Sequence, residues 1–176
     1  MRTGRLAAAA LVVTVAVSGC AHAEGDPTAD CRAQLAAAEA KVRTDHAWSE
    51  LDLPGVGDYT SAHWQLRALG DPCSRAPGPD DWSYQGVLAL QQDDTAVLAG
   101  RFPWRPVPAT PGAVSPGANG LDTPARMWPA LVPFVPNGVR WMHSEEYAET
   151  QSFGGRQGDV YLDTKFAVVF FVLSDR

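Results

Sequence analysis

Lysine is nearly missing from this chain of 176 residues: Lys41 and Lys165 are the only two, so arginine supplies almost all of its 14 basic side chains. Acidic residues number 20, which leaves a formal charge of −6. Nucleic acid and anionic lipid headgroups are bound through a positive field, so neither is expected as a direct partner of this surface. Long apolar runs are also lacking. A bilayer-spanning helix needs about 20 consecutive apolar residues, and residues 6–17 (LAAAALVVTVAV) and 167–173 (AVVFFVL) both fall short. Catalytic signatures are equally scarce. There is no H-E-x-x-H zinc pattern, no G-x-S-x-G nucleophile elbow and no phosphate-binding glycine loop, because residues 154–158 (GGRQG) precede no helical pattern. The sequence calls for no cofactor and no metal.

What is present fits an ordinary globular domain, with 45% hydrophobic and 19% charged residues. The first 19 residues stand apart. Arg2 and Arg5 form a positive region ahead of the charge-free run 6–17, the layout of a signal peptide. That run ends in Val17-Ser18-Gly19-Cys20. This tetrad resembles the lipobox of bacterial lipoproteins, in which small residues precede a cysteine whose thiol forms a thioether to diacylglycerol. The resemblance covers the first 20 residues and implies lipidation at Cys20, a palmitate-bearing membrane anchor, and a cell-envelope location on the outer face of the cytoplasmic membrane. Two acyl chains hold stably where one would be reversible. The competing reading is a secreted protein cut near Ala21-His22-Ala23, with Cys20 incidental. Together with the arginine-, alanine-, glycine- and proline-rich composition, the lipobox makes the whole chain look like small uncharacterised actinobacterial lipoproteins, a likeness that implies no activity. Loss of residues 1–19 removes two arginines and no acid, leaving 12 basic against 20 acidic residues, a charge of −8.

Lipidation would consume one of the three cysteines and leave Cys31 and Cys73. Outside the cytoplasm disulfides persist, so a Cys31–Cys73 bridge is the natural pairing. Closing a loop of about 40 residues would stabilise the fold by roughly 4 kcal/mol in the chain-entropy model. A metal site built from these thiolates with His46 or His63 lacks the close ligand spacing that zinc sites show.

Along the chain, residues 21–29 (AHAEGDPTA) suit a flexible tether with a reach of roughly 16 Å. The domain organisation is then a signal peptide at 1–19, a lipidated tether at 20–29 and a single α+β domain at 30–176. Asp30 is a candidate N-cap for a helix through Cys31, Leu35, Ala38 and Val42, spaced by four, three and four. Residues 47–53 are a candidate strand before the Pro54-Gly55 turn. Residues 62–69 (AHWQLRAL) alternate Ala62, Trp64, Leu66 and Ala68 against His63, Gln65 and Arg67, the pattern of a half-buried strand. Residues 82–91 (WSYQGVLALQ) read as another strand. Asp93 and Asp94 open either a short helix to Phe102 or a hairpin turn, and the paired acids before Thr95 favour the helix.

From Pro103 to Pro124 six prolines and three glycines forbid regular structure. Thr123-Pro124 then opens a short helix through Met127, Trp128 and Leu131. The last third is expected to form strands at 139–150, 159–163 and 166–173. Asp163-Thr164-Lys165 turns the final pair into a hairpin, and the unbroken apolar run AVVFFVL marks a central strand covered on both faces. The expected fold is α+β: a mostly antiparallel sheet of about five or six strands with an N-terminal helix packed on one face.

Candidate chemistry is thin. His22 falls in the tether, His46 at a helix end, and His63 on the polar face of its strand, where exposure explains it. His143-Ser144-Glu145-Glu146 would set His143, Glu145 and Tyr147 on one side of a strand, a row able to act in acid–base chemistry or metal ligation; a solvated strand edge accounts for the same residues. Trp104 and Trp128, with Trp141, Phe102 and Phe134, fall in the proline-rich half. They could form a platform for sugar faces or a proline-rich peptide, or simply anchor loops by burying their rings. The expectation is a membrane-anchored extracytoplasmic lipoprotein, a non-enzymatic accessory or binding module of the cell envelope. The alternative is a small extracytoplasmic enzyme acting on cell-wall polymer through His143 and Glu145.

Overall fold

The structure is a computed structural model and describes residues 26–48, 52–74, 81–107, 127–151 and 156–175. In chain order its elements are α1 (Pro27–Ala40), β1 (Tyr59–Ala68), β2 (Trp82–Leu90), α2 (Gln92–Arg101), β3 (Arg105–Pro106), a single 3-10 turn at Val132–Phe134, β4 (Met142–His143), α3 (Glu145–Gln151), β5 (Arg156–Asp163) and β6 (Val168–Asp175). The strands form one sheet in the order β1-β2-β6-β5-β4-β3, antiparallel at every pairing. This is the expected α+β class, with α1 packed on the sheet.

Alternation along the strands builds two cores, one on each face. Ala62, Trp64 and Leu66 of β1 join Leu88 and Leu90 of β2, Val169 and Phe171 of β6, and Val160 and Leu162 of β5 in the first. Helix α2 adds Leu98, α3 adds Tyr147, and the 52–58 loop adds Leu53 and Val56. Arg156 fastens that loop to the sheet by a fork, Nη1 donating to Asp52 at 3.0 Å and Nε to Asp175 at 2.9 Å. On the second face Val87, Val168, Phe170 and Tyr161 meet Met127, Leu131, Val135 and Trp141. Strand β6 lies between β2 and β5 with both faces covered, which explains why its apolar run does not alternate. It forms the expected hairpin with β5. Asp163, which is buried, shapes that turn by accepting from the backbone N–H groups of Phe166 and Arg140.

The cover of the second face is irregular chain, held by side chains where it lacks backbone ladders. The Trp128 N–H donates to Gln85 Oε1 at 2.9 Å, and the Arg67 guanidinium lies 4.3 Å over the Trp128 ring. Phe134 stacks on His63 with ring centroids 3.7 Å apart. The row His63, Gln65 and Arg67 is therefore not a solvated strand face: His63 is half-buried and Gln65 is buried.

Helix α1 starts earlier than the Asp30 cap expected from sequence. Asp26 is the cap, its carboxylate accepting from the Thr28 N–H at 3.0 Å, with Pro27 at the first helical position. Cys31, Leu35 and Ala38 make the half-buried stripe, and no residue of the helix is fully buried. Its grip on β1 is polar. The Gln65 side-chain amide donates to the carbonyls of Glu39 and Ala40 at 3.0 and 3.1 Å, and the Glu39 carboxylate accepts from the Ala68 N–H at 2.8 Å. Just past the helix, Arg43 and Trp64 exchange backbone hydrogen bonds on the outer side of β1. Cys31 and Cys73 are joined by a disulfide, with Cα atoms 5.7 Å apart.

Several local expectations are corrected. The strand expected at 47–53 is absent among its described residues, where 52–55 form turns around Pro54-Gly55. Only Met142–His143 of the strand expected at 139–150 pairs, because Ser144 caps a helix that absorbs the rest. The helix expected through Met127 and Leu131 is a series of turns, and its Thr123-Pro124 start lies outside the described residues, as do 21–25 of the tether. Arg105–Pro106 is a short strand inside the stretch where none was expected. Its pairing to β4 survives Pro106 because proline loses only its own N–H at a sheet edge.

Candidate functional site

The sheet register gathers the chain's most chemically capable side chains at one margin. A single row crosses all six strands: His63, Val87, Phe170, Tyr161, His143 and Arg105 occupy successive paired positions from β1 to β3. Its middle is apolar core. Its β3–β5 end opens into a cleft of about 550 Å³ lined by Arg105, His143 and Tyr161, by Glu145, Glu146 and Glu149 of α3, and by an apolar wall of Pro103, Pro106 and Val107. A second hollow, of about 420 Å³, continues past His143 to Gln157 and Asp159 on β5.

The shortness of β4 creates this space. Along β5 it pairs only with Leu162 and Tyr161, and beyond that α3 packs against β5 in its place. Ser144 ends the strand and starts the helix: its hydroxyl accepts from the Tyr147 N–H at 3.3 Å, and Glu145 and Glu146 fill the acid-favouring first turn. Tyr147 is fully buried in the first core, 4.8 Å from the Phe102 ring and 5.4 Å from Trp104. With Tyr147 inward, Glu145, Glu146 and Glu149 are left exposed.

His143 Nε2 lies 3.1 Å from Asp159 Oδ1, so the carboxylate orients the ring, accepting a hydrogen bond from that nitrogen when it carries the proton. The His143 ring rests beside Tyr161 at 5.2 Å. Tyr161 forms the floor; burial, and secondarily the negative charge of Asp159, pushes its phenol up to about 12. The phenolic oxygen makes no hydrogen bond among the described residues. Among the described residues lining the cleft there is no serine, threonine, cysteine or lysine; those present offer carboxylates, imidazole and phenol as reactive groups. Among the described residues, no group of three His, Cys, Asp or Glu side chains is placed to hold a metal ion.

His143 and Glu145 thus line one cleft, though a strand-to-helix junction and not strand alternation brings them there. Tyr147, expected beside them, points into the opposite core. Trp104 and Trp128 are separated by the sheet: Trp104 packs in the first core with its indole N–H donating to the Leu98 carbonyl at 3.0 Å, and Trp128 packs in the second. Trp141 is buried beside Phe170. His46 stacks on Tyr59 with centroids 4.6 Å apart, and His22 and Cys20 lie outside the described residues. Sequence reading missed Tyr161, Asp159 and Arg105. Tyr161 and Asp159 carried a signal as alternate residues of one strand, whereas Arg105 carried none in a two-residue strand.

These features define a class, an α+β domain on a single antiparallel sheet with a lateral cleft rich in carboxylates. No protein-family model, curated protein or solved structure matches the chain.

Proposed function

We propose that the chain is an exported lipoprotein of the bacterial cell envelope, anchored through diacylglycerol on Cys20 to the outer face of the cytoplasmic membrane, with a domain that serves as a non-enzymatic accessory or binding module. The observation that carries this reading is the Cys31–Cys73 disulfide. It occupies two of three cysteines and leaves the one that follows Val17-Ser18-Gly19. A structural disulfide also agrees with an oxidising compartment. Among the described residues no helix is long and apolar enough to cross a membrane, so the acyl chains would supply the attachment. Metabolic labelling with palmitate tests the anchor. The full-length chain takes up label and its Cys20→Ser variant does not; an unlabelled wild type, or a labelled variant, defeats the reading.

The cleft favours a second reading, a small extracytoplasmic enzyme acting on cell-wall polymer. An imidazole held by Asp159 is oriented for general acid–base work, with Glu145 on the same cleft. Glu145, Glu146 and Glu149 in the lining would supply the carboxylates that glycoside hydrolysis uses. Release of new reducing ends from purified cell wall, abolished by His143→Ala, would establish it, and absence of release from the wild type would end it.

A further inference from the structure

The phenol of Tyr161 is a polar group without a use inside the fold. Its residue is only 7% exposed, yet its hydroxyl has no partner among the described residues and faces a cleft that it lines. The ring is buried while the oxygen stays reachable from the cleft, so a ligand entering the cleft can hydrogen-bond to it. The charge around it is lopsided. Glu145 and Glu149 stand one turn apart on α3 and repel each other, with Glu146 adding to the excess, while among the described lining residues Arg105 is the one permanent cation. Pro103, Pro106 and Val107 supply an apolar wall opposite these polar groups. The volume, about 550 Å³, falls in the range of small-molecule sites.

We propose that this cleft binds an amino sugar with a free, protonated amine, the ammonium seated between Glu145 and Glu149 and a sugar hydroxyl completing the phenol of Tyr161. The ammonium relieves the repulsion between the two carboxylates. The hydroxyl exchanges hydrogen bonds with an oxygen that can both donate and accept. The C–H face of the ring packs on the proline and valine wall, as amphipathic sugar rings do against apolar surfaces. An N-acetylated sugar fits this arrangement poorly, because its amide carries no charge and would cover part of two carboxylates without offsetting their repulsion. The proposal rests on the binding-module reading but not on the anchor, so its failure leaves the palmitate result untouched.

Calorimetric titration of the full-length chain in detergent tests it, with a β-1,4-linked glucosamine tetramer and the matching N-acetylglucosamine tetramer as probes. The glucosamine tetramer binds and the acetylated one binds at least about tenfold more weakly, the scale of one lost charge-assisted hydrogen bond. Tyr161→Phe keeps the ring and removes only the oxygen; it leaves thermal unfolding unchanged and weakens the glucosamine tetramer by about fivefold to tenfold. The pair Glu145→Gln and Glu149→Gln, on exposed positions, removes the preference for the free amine. Equal binding of the two tetramers, an unaltered affinity in Tyr161→Phe, or no binding at all overturns the proposal.

Discussion

Replacing Cys31 and Cys73 by serine separates what the disulfide does for the unfolded chain from what it does for α1. The bridge spans 42 residues, and the chain-entropy relation assigns a loop of that length about 4 kcal/mol at 25 °C. That figure is a ceiling, because the folded protein also gains freedom when the bridge is lost. Helix α1 buries no residue completely, and its remaining grip is Gln65 on two terminal carbonyls, Glu39 on the Ala68 N–H, Arg43 on the Ala38 carbonyl and, near the N-terminus, an exposed Arg32–Asp71 ion pair that water screens. At about 1 kcal/mol each, the bonds made by Gln65, Glu39 and Arg43 hold a 14-residue helix that is marginal by itself. Without the bridge its N-terminal turns should fray, and the variant should remain folded while losing about 2 to 4 kcal/mol in urea unfolding. For a domain of this size that corresponds to roughly 5 to 15 °C in melting temperature. Hydrogen exchange gives the sharper reading: amides of α1 lose protection, while those of β2 and β6, in the middle of the sheet, keep it. Undiminished stability would mean the bridge does not constrain the chain. A variant that fails to fold would mean α1 belongs to the core, which its exposure contradicts.

Three further outcomes follow from the packing. A methyl group at Gly86 would lie 2.4 Å from Phe171 Cζ and 2.9 Å from Trp64 Cβ, so Gly86→Ala should cost about 1 to 3 kcal/mol in denaturant unfolding despite alanine's better backbone entropy. Burial against Phe134 holds the His63 imidazole below its ordinary value, so the unfolded chain takes up that proton first. Its contribution to stability is complete above about pH 6.5 and is lost as pH falls through the lower folded value; His63→Phe should flatten this part of a urea-midpoint profile between pH 7.5 and 5. Arg156→Lys cannot span Asp52 and Asp175 with a fork, and should cost about 1 kcal/mol, less at high salt because these groups are partly exposed.

The parts of the fold legible in the sequence are those in which one physical signal acts alone. The β1 alternation, the unbroken apolar run of β6, and the acids opening α2 each name their element, and oxidation logic paired the two cysteines. Where two signals competed, the reading failed. Trp141-Met142-His143 starts like a strand, and the eye carries alternation on to Tyr147, but Ser144 followed by Glu145 and Glu146 is a helix start that wins after two paired residues. His63, Gln65 and Arg67 read as a wet face because the chain that covers them, residues 127–139, has no periodicity to announce it. Half of the cleft was in view, as His143 and Glu145. Its floor and far wall depend on which strands become neighbours, and β5, β4 and β3 meet only through the long-range order of the sheet.

Both outer margins of that sheet are interrupted. On one side Arg43 already occupies the free backbone groups of Trp64, and Glu39 takes the Ala68 N–H. On the other, β3 offers two residues, one of them a proline with no N–H to give. An unpaired strand edge is a template on which a second chain can crystallise its own strand, and crowding on a surface raises the chance of that encounter. Among the described residues each margin of the sheet is interrupted, so a second chain would meet only short stretches of free strand, and many copies could be packed side by side with little tendency to knit into a shared sheet.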